Sequence, residues 1–259
     1  MKFGGASVAT PQHFSRIANL ILERKEEHDH IVIVVSAMGD TTDQLIALAK
    51  KVHPEPPRRE YDMLVTVGER ISISLLAMAL ARKNQEAMSF TGSQSGVITS
   101  EDHTDARIID VRPHRLVKSL DQGKVVIVAG FQGVSTNGEI TTLGRGGSDT
   151  SAVALGAALS ASAVEFYKDV PGVFEEDPKS NPNSRFLRQL SYQAALEIVR
   201  GGAKILHPRC ISLARENQIP LVVKSFCGES CDDFEGTVIR DTDGVRPHRA
   251  FFEQEQVAD

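Results

Sequence analysis

Two uninterrupted apolar runs, residues 31–35 and 125–129, constrain this chain more than any other feature. A strand that is apolar at every position must be covered on both faces, which is the situation of a parallel sheet between two helical layers. Each run ends in a polar turn: Ser36-Ala37-Met38-Gly39-Asp40-Thr41-Thr42-Asp43 after the first, Gly130-Phe131-Gln132-Gly133 after the second. In open parallel sheets ligands bind at the C-terminal ends of the strands, where these turns fall. Helical patterns alternate with the strands. Thr10-Pro11 opens one helix, with Phe14, Ile17, Ala18 and Ile21 on a single face. Others are expected over 63–81, 116–120, 152–159, 193–200 and 209–216, with a helix after Thr42 or Asp43, either of which would cap it. Shorter strands are expected at 87–90, 97–99, 107–109, 164–167, 220–224 and 236–239, with a hairpin turn at Asn137-Gly138. This alternation predicts an α/β fold, a three-layer α/β/α sandwich with a mainly parallel central sheet. Beyond Asp241 the chain reads as a polar tail with no core pattern.

Composition narrows the function classes. The chain has 259 residues, 41% of them hydrophobic, enough for one large α/β domain or two fused lobes. A net charge of −5 without a basic block argues against a nucleic-acid binder. Cys210, Cys227 and Cys231 cannot all pair, and the C-x₃-C spacing of the last two has no partner ligands for zinc. Reduced thiols and a cytoplasmic location are expected. No signal peptide opens the chain and no apolar run reaches ~18 residues, so neither a membrane nor nucleic acid is expected as a partner.

The densest chemistry lies at Gly144-Arg145-Gly146-Gly147-Ser148-Asp149. Glycines let backbone N–H groups approach a phosphate or carboxylate closely. The small-residue helix that follows would begin at Ser148 or Asp149, where its dipole favours an anion. The plainer reading is a flexible turn with Asp149 as an ordinary cap. Lys2 stands two residues before Gly4-Gly5, a charge at the mouth of a second phosphate-sized turn. Gly68 interrupts a helix at a cost of ~1 kcal/mol, which implies a close approach there, and Glu69 is its neighbour.

Taken together these segments resemble the amino-acid kinase superfamily, and within it the catalytic domain of aspartate kinases. Lys2-Phe3-Gly4-Gly5-Ala6-Ser7-Val8 is similar to the family's opening KFGGTSV. The turn from Ser36 to Asp43, Gly68-Glu69-Arg70, the turn at Gly130, and Thr142 to Asp149 follow in the family's order. So do Lys168-Asp169-Val170-Pro171-Gly172-Val173-Phe174 with Asp177-Pro178, and Gly202-Ala203-Lys204-Ile205-Leu206-His207-Pro208. The resemblance covers residues 1–240. It implies an amino-acid-binding lobe over 1–150 and a nucleotide-binding lobe over 151–240, with 241–259 as the tail.

The activity implied is transfer of the ATP γ-phosphoryl group to the β-carboxylate of L-aspartate, giving 4-phospho-L-aspartate, the first step towards lysine, threonine and methionine. Phosphoryl transfer needs positioning and positive charge on the moving group. The resemblance assigns Lys2 and Asp149 to catalysis, with Asp149 orienting Lys2 or binding Mg²⁺. Arg145 would grip the α-carboxylate and Glu69 the α-ammonium, with Ser36, Thr42 and Ser148 orienting the amino acid. ATP would be held by Lys2, Gly4, Gly5, Lys168, Asp169, Phe174, Lys179, Lys204 and Ile205. No residue is assigned as a certain metal ligand. The chain departs from the family pattern at Ala6 (threonine), at Lys168 (threonine in some members) and at Phe174 (commonly tyrosine). Only Met1 precedes Lys2 where relatives carry several β-forming residues, so a clipped first strand is expected. The two regulatory ACT domains that usually follow are not expected, nor is end-product inhibition by lysine or threonine. A homodimer is expected. Two other readings stand beside this one: a sister kinase with another acceptor, and a catalytically silent nucleotide- or amino-acid-binding subunit.

Overall fold

The computed structural model describes residues 1–176, 181, 183–226, 236–242 and 244–253. The strands are β1 (Lys2–Phe3), β2 (Val32–Val35), β3 (Ala87–Phe90), β4 (Val97–Thr99), β5 (Ile108–Val111), β6 (Val125–Ala129), β7 (Gln132–Ser135), β8 (Ile140–Thr142), β9 (Val164–Lys168), β10 (Val173–Phe174), β11 (Phe186–Leu187), β12 (Gln189–Leu190), β13 (Leu221–Ser225) and β14 (Thr237–Ile239). The helices are α1 (Pro11–Lys25), α2 (Thr41–Val52), α3 (Arg58–Val65), α4 (Val67–Ala81), α5 (Gly92–Ser95), α6 (His114–Leu120), α7 (Gly147–Ala158), α8 (Tyr192–Arg200) and α9 (Pro208–Asn217).

The main sheet has eight strands in the order β12-β14-β13-β9-β1-β2-β6-β3. Every pairing in it is parallel except β13 with β14. The pleat divides its side chains between two cores. Val34, Val126, Val128, Val164, Phe166, Leu221 and Val223 pack with α6, α7 and α9. Phe3, Ile33, Val35, Ile127, Ala129 and Tyr167 pack with α1 and α4. That makes three layers, as expected, and both continuous apolar runs are strands of this sheet, β2 and β6, lying side by side with β6 next to the edge strand β3. The α1 face is Phe14, Ile17, Ala18 and Ile21, as the periodicity predicts.

Four local expectations change. The segment 63–81 is two helices, breaking at Thr66, because α3 turns off to meet α2 and β8 while α4 lies along α1 and the sheet. The Gly/Ser-rich turn read over 91–96 holds a short helix, α5, opened by a reciprocal Thr91–Gln94 capping box and ended by left-handed Gly96. The N-caps of α2 and α7 are Asp40 and Gly146, so Thr42, Asp43, Ser148 and Asp149 lie within the first turns. A second sheet, β5-β4-β7-β8, forms from segments that read as turn or isolated strand, and Gln132-Gly133 belongs to it. The predicted Asn137-Gly138 hairpin closes β7 onto β8.

The segment after Asp241 docks on the domain. Arg209 pairs with Glu253 through Nε at 2.7 Å and Nη2 at 2.8 Å, and Ile108 N donates to Glu253 at 3.0 Å. Phe252 packs on the core. The stretch Arg58–Ala81, 24 residues long, is apolar enough by length and composition to cross a membrane, although no uninterrupted apolar run in it reaches ~18 residues. Here it carries two buried carboxylates, Asp62 and Glu69, and α4 packs on α1, β3 and β6, which are the marks of a core helix.

Candidate active site

Strand alternation fixes the centre of the site. Lys2 pairs in register with Val34 on one side and Phe166 on the other, so its side chain shares their face, the face covered by α7. Lys168 lies two residues beyond Phe166 on β9 and therefore points the same way. Asp149, in the first turn of α7, meets both. Its Oδ1 lies 2.5 Å from Lys2 Nζ and its Oδ2 lies 3.6 Å from Lys168 Nζ. Lys2 and Asp149 are buried. Burial alone would raise the Asp149 carboxyl, but Lys2 and Lys168 outweigh it and hold it below the ordinary carboxylate range. Burial lowers the Lys168 ammonium, partly offset by Asp149.

The glycine turns close around this cluster. A Cβ on Gly4 would stand 3.7 Å from Lys2 Nζ, so the ammonium folds back over the turn. Gly39 N donates to Gly5 O at 3.1 Å, joining the turn after β1 to the turn after β2. A Cβ on Gly68 would come within 2.7 Å of Ala37 Cβ, which is the close approach its position inside a helix implied. That contact seats the next residue: Glu69 Oε1 accepts from Ala37 N at 3.2 Å, directly after Ser36. Glu69 Oε2 is buried with no hydrogen-bond partner. Desolvation pushes the Glu69 carboxyl up to about 7, against its two backbone hydrogen bonds. A buried carboxylate oxygen aimed at nothing is a site for a cation. Ser36 and Thr42, half-buried, sit on the adjoining turn and the first turn of α2.

Arg145 is exposed between Gly144 (φ 67°) and Gly146 (φ 73°), and no carboxylate among the described residues pairs with it. Ser148 lies across from the end of β2: a Cβ on Gly130 would approach Ser148 Oγ to 3.0 Å and Val34 Cγ1 to 3.0 Å. On the other side of Asp149 a cavity of about 340 Å³ opens, lined by Lys168, Lys204, Ile205 and His207 among others. Lys204 is exposed at its rim and Ile205 half-buried. Asp169 is exposed beside Lys168. Phe174 is not among the described residues lining this cavity. Its ring meets Phe186 edge-on, 5.3 Å between centroids, on the β10–β11 ribbon. Lys179, Asp177, Pro178, Cys227 and Cys231 lie outside the described residues.

His207 is a site residue that the motif reading did not single out. Its Nδ1 accepts from Arg209 N at 3.3 Å, capping α9, and its ring lies where a Cβ on Gly146 would be, 2.1 Å from Cγ. Only the His-Pro pair opening a helix hinted at it. A separate cavity of about 380 Å³, lined by Arg24, His28, His30 and Glu165, lies at the opposite, N-terminal edge of the sheet, away from the convergent residues.

The sequence profile described as the amino acid kinase family matches residues 1–225. The chain belongs to that family. It is 51% identical over 240 residues to an aspartokinase of Mycolicibacterium smegmatis, covering 92% of this chain and 56% of that protein. With an aspartokinase of Geobacillus stearothermophilus it is 46% identical over 247 residues, covering 95% and 60%. It superposes on the aspartate kinase from Synechocystis with a TM-score of 0.84 at 44% identity, covering 98% of this chain and 41% of that one. Escherichia coli aspartokinase III in complex with aspartate and ADP gives a TM-score of 0.81 at 26% identity, covering 93% and 64%. The chain thus spans about half the length of the curated relatives it matches.

The Glu69 carboxyl gives a pH test with a defined sign. A group whose folded pKa is raised from 4.5 to about 7 binds more protons folded than unfolded across that interval. Folding stability therefore falls as pH rises from about 4.5 to 7, by on the order of 3 kcal/mol. Urea unfolding of Glu69→Gln against the wild type is expected to show this slope flattened and the variant more stable at pH 8. An unchanged slope would show that Glu69 is already ionised.

Proposed function

We propose that the chain is the catalytic domain of an aspartate kinase, transferring the γ-phosphoryl group of ATP to the β-carboxylate of L-aspartate. The observation that carries this is the convergence of Lys2, Lys168 and Asp149 at the C-terminal ends of β1 and β9, between a nucleotide-sized cavity and the unpartnered Glu69 carboxylate. The aspartokinase relatives, and the solved relative in complex with aspartate and ADP, support the same assignment.

The charges divide the work. On the side of residues 1–150, Glu69 Oε2 takes the substrate α-ammonium and Arg145 takes its α-carboxylate with a two-pronged hydrogen bond, while Ser36, Thr42 and Ser148 orient the chain between them. Two fixed charges on one carbon distinguish an α-amino acid from a nucleotide acceptor. On the side of residues 151–240, Lys168, Asp169, Lys204 and Ile205 hold ATP in the cavity beside α9, with Phe174 and Lys179 further along the same segment. Backbone N–H groups of Gly4 and Gly5 and the ammonium of Lys2 face the phosphates. The acceptor carboxylate is already ionised at neutral pH and needs no base. Lys2 neutralises charge on the phosphoryl group as it moves, and Asp149 holds Lys2 and Lys168 at the required spacing.

Magnesium fits this scheme as part of the nucleotide. No cluster of three metal-ligating side chains occurs among the described residues, and Asp149 is flanked by two lysines. Mg²⁺ typically binds through phosphates with one or two carboxylates and several waters. Asp149 is the carboxylate nearest the proposed phosphate site and would meet the ion there beside its two lysines. When bound, the ion would neutralise phosphate charge. A cytoplasmic, homodimeric enzyme is part of the reading. Met63, Val67, Ile71 and Met78 are exposed along one side of α3 and α4, with Leu48 and Val52 on neighbouring α2, and a second copy is the occupant proposed for this stripe.

Purified protein with MgATP and L-aspartate is expected to form an acyl phosphate trappable as a hydroxamate. Lys2→Ala should lower kcat at least 100-fold, and glutamate, N-acetylglutamate or UMP as acceptors should give no comparable product. No hydroxamate from the wild type would favour a silent binding subunit. Light scattering should give twice the chain mass, reduced to a monomer by Ile71→Lys with Met78→Lys. An unchanged mass would place the contact elsewhere.

A further inference from the structure

Asp62, on α3, is fully buried. Its carboxylate holds three groups from two distant segments. Thr142 Oγ1 donates to Oδ1 at 2.7 Å. His103 Nδ1 shares a hydrogen bond with Oδ2 at 2.8 Å, and Thr104 N donates to the same oxygen at 3.1 Å. Nothing in the local sequence of Asp62 marks it, because every partner is at least forty residues away.

What lies on either side of this knot gives it meaning. Asp62 precedes Glu69 by seven residues, two helical turns, across the α3–α4 break. The break itself is held from the other side, where Gln132 Nε2 donates to Thr66 O at 3.1 Å. Thr142 precedes Arg145 by three residues at the end of β8. Between them Gly144 is left-handed, and the space a side chain would take there is filled by Asp105 Oδ1 at 2.7 Å and Thr104 O at 3.2 Å. Thr104 is the residue whose N–H Asp62 anchors. The carboxylate therefore ties the helix pair carrying Glu69 both to the strand leading into Arg145 and to the loop that seats the Arg145 turn.

We propose that Asp62 is a positioning residue for the amino-acid substrate, setting the separation between Glu69 and Arg145. The proposal rests on the assignment of those two groups to the α-ammonium and α-carboxylate. An α-amino acid carries these charges on one carbon, so the two protein groups must be held within about 0.5 Å of the productive geometry. Neither side chain can do this itself: Glu69 is anchored through Ala37 N, and Arg145 is exposed on a glycine-flanked turn. The groups that Asp62 itself holds, Thr142 Oγ1, His103 and Thr104 N, do not line the cavity beside α9, so loosening them is expected to act first on the amino-acid substrate.

Thr142→Val keeps the shape of the side chain and removes one of the three hydrogen bonds, and Thr142→Ser keeps the hydroxyl. Asp62→Asn tests the same knot from its centre. Initial rates with each substrate varied, calorimetric titration of L-aspartate onto the full chain without nucleotide, and melting temperature separate the outcomes. Thr142→Val and Asp62→Asn are expected to raise KM and Kd for aspartate at least tenfold, with KM for ATP within twofold. Thr142→Ser should recover aspartate binding to within threefold. A wild type that turns over aspartate, with Thr142→Val shifting both substrates equally or neither, overturns the positioning role and leaves the kinase assignment standing. A wild type that neither binds nor phosphorylates aspartate overturns both.

Discussion

Lys2 and Asp149 face each other where neither is solvated, and the rest of the site takes its position from that contact. Strand β1 is two residues long and sits between β2 and β9, so the parallel ladder fixes the height and the face from which Lys2 emerges. Helix α7 begins at the same level and supplies the carboxylate from its first turn, where its dipole also favours negative charge. Taking two charges out of water costs several kcal/mol per ion, and their attraction repays this only with good geometry. Lys168, on the next strand, adds a second cation to the same carboxylate, so the cluster keeps an excess of positive charge. Excess positive charge at the C-terminal edge of a parallel sheet, under two glycine turns, is an anion site, and hydrophobic packing would have served stability better.

The opposite polarity lies one turn away. Glu69 is held by Ala37 N through one oxygen while the other has no partner, at a point reached only because Gly68 lets α4 approach the turn after β2. One edge of the sheet thus carries a cationic half and an anionic pocket. On the proposed reading a small zwitterion with a second carboxylate would satisfy both, its ammonium at Glu69 and its side-chain carboxylate towards Lys2. The cavity beside α9 lies on the far side of Asp149, so two ligands bound in these places meet end to end at the buried lysine. His207 couples the two halves mechanically, since its ring supports Gly146 while its Nδ1 caps α9.

Much of this was legible in the residues. The all-apolar runs gave the buried strands of the sheet, the periodicity of Phe14, Ile17, Ala18 and Ile21 gave the face of α1, and a glycine inside a helix pointed to the contact at Ala37. The parts that were not legible depend on contacts between distant segments. Gln132-Gly133 has the composition of a turn, yet it forms a strand because β4 and β8 are there to pair with it. Gly146 takes the cap of α7 because a left-handed residue fits against His207, 61 positions away, which neither Ser148 nor Asp149 could do. Glu253 anchors the segment after Asp241 through Arg209 and Ile108 N, and Asn217 brackets Phe251, contacts that no pattern in that stretch announces. Phe174, assigned to ATP by the resemblance, meets Phe186 edge-on, a contact that exists only because β10 pairs with β11.

The decisive measurement is a crystal structure of the chain soaked with ADP, Mg²⁺ and L-aspartate. The β-phosphate is expected within hydrogen-bond distance of Lys2 Nζ and the Gly4–Gly5 turn, the aspartate ammonium on Glu69 Oε2, and its α-carboxylate on Arg145. Nucleotide density in the Arg24–Glu165 cavity at the other edge of the sheet, with the Lys2–Asp149 pair untouched, would contradict that arrangement.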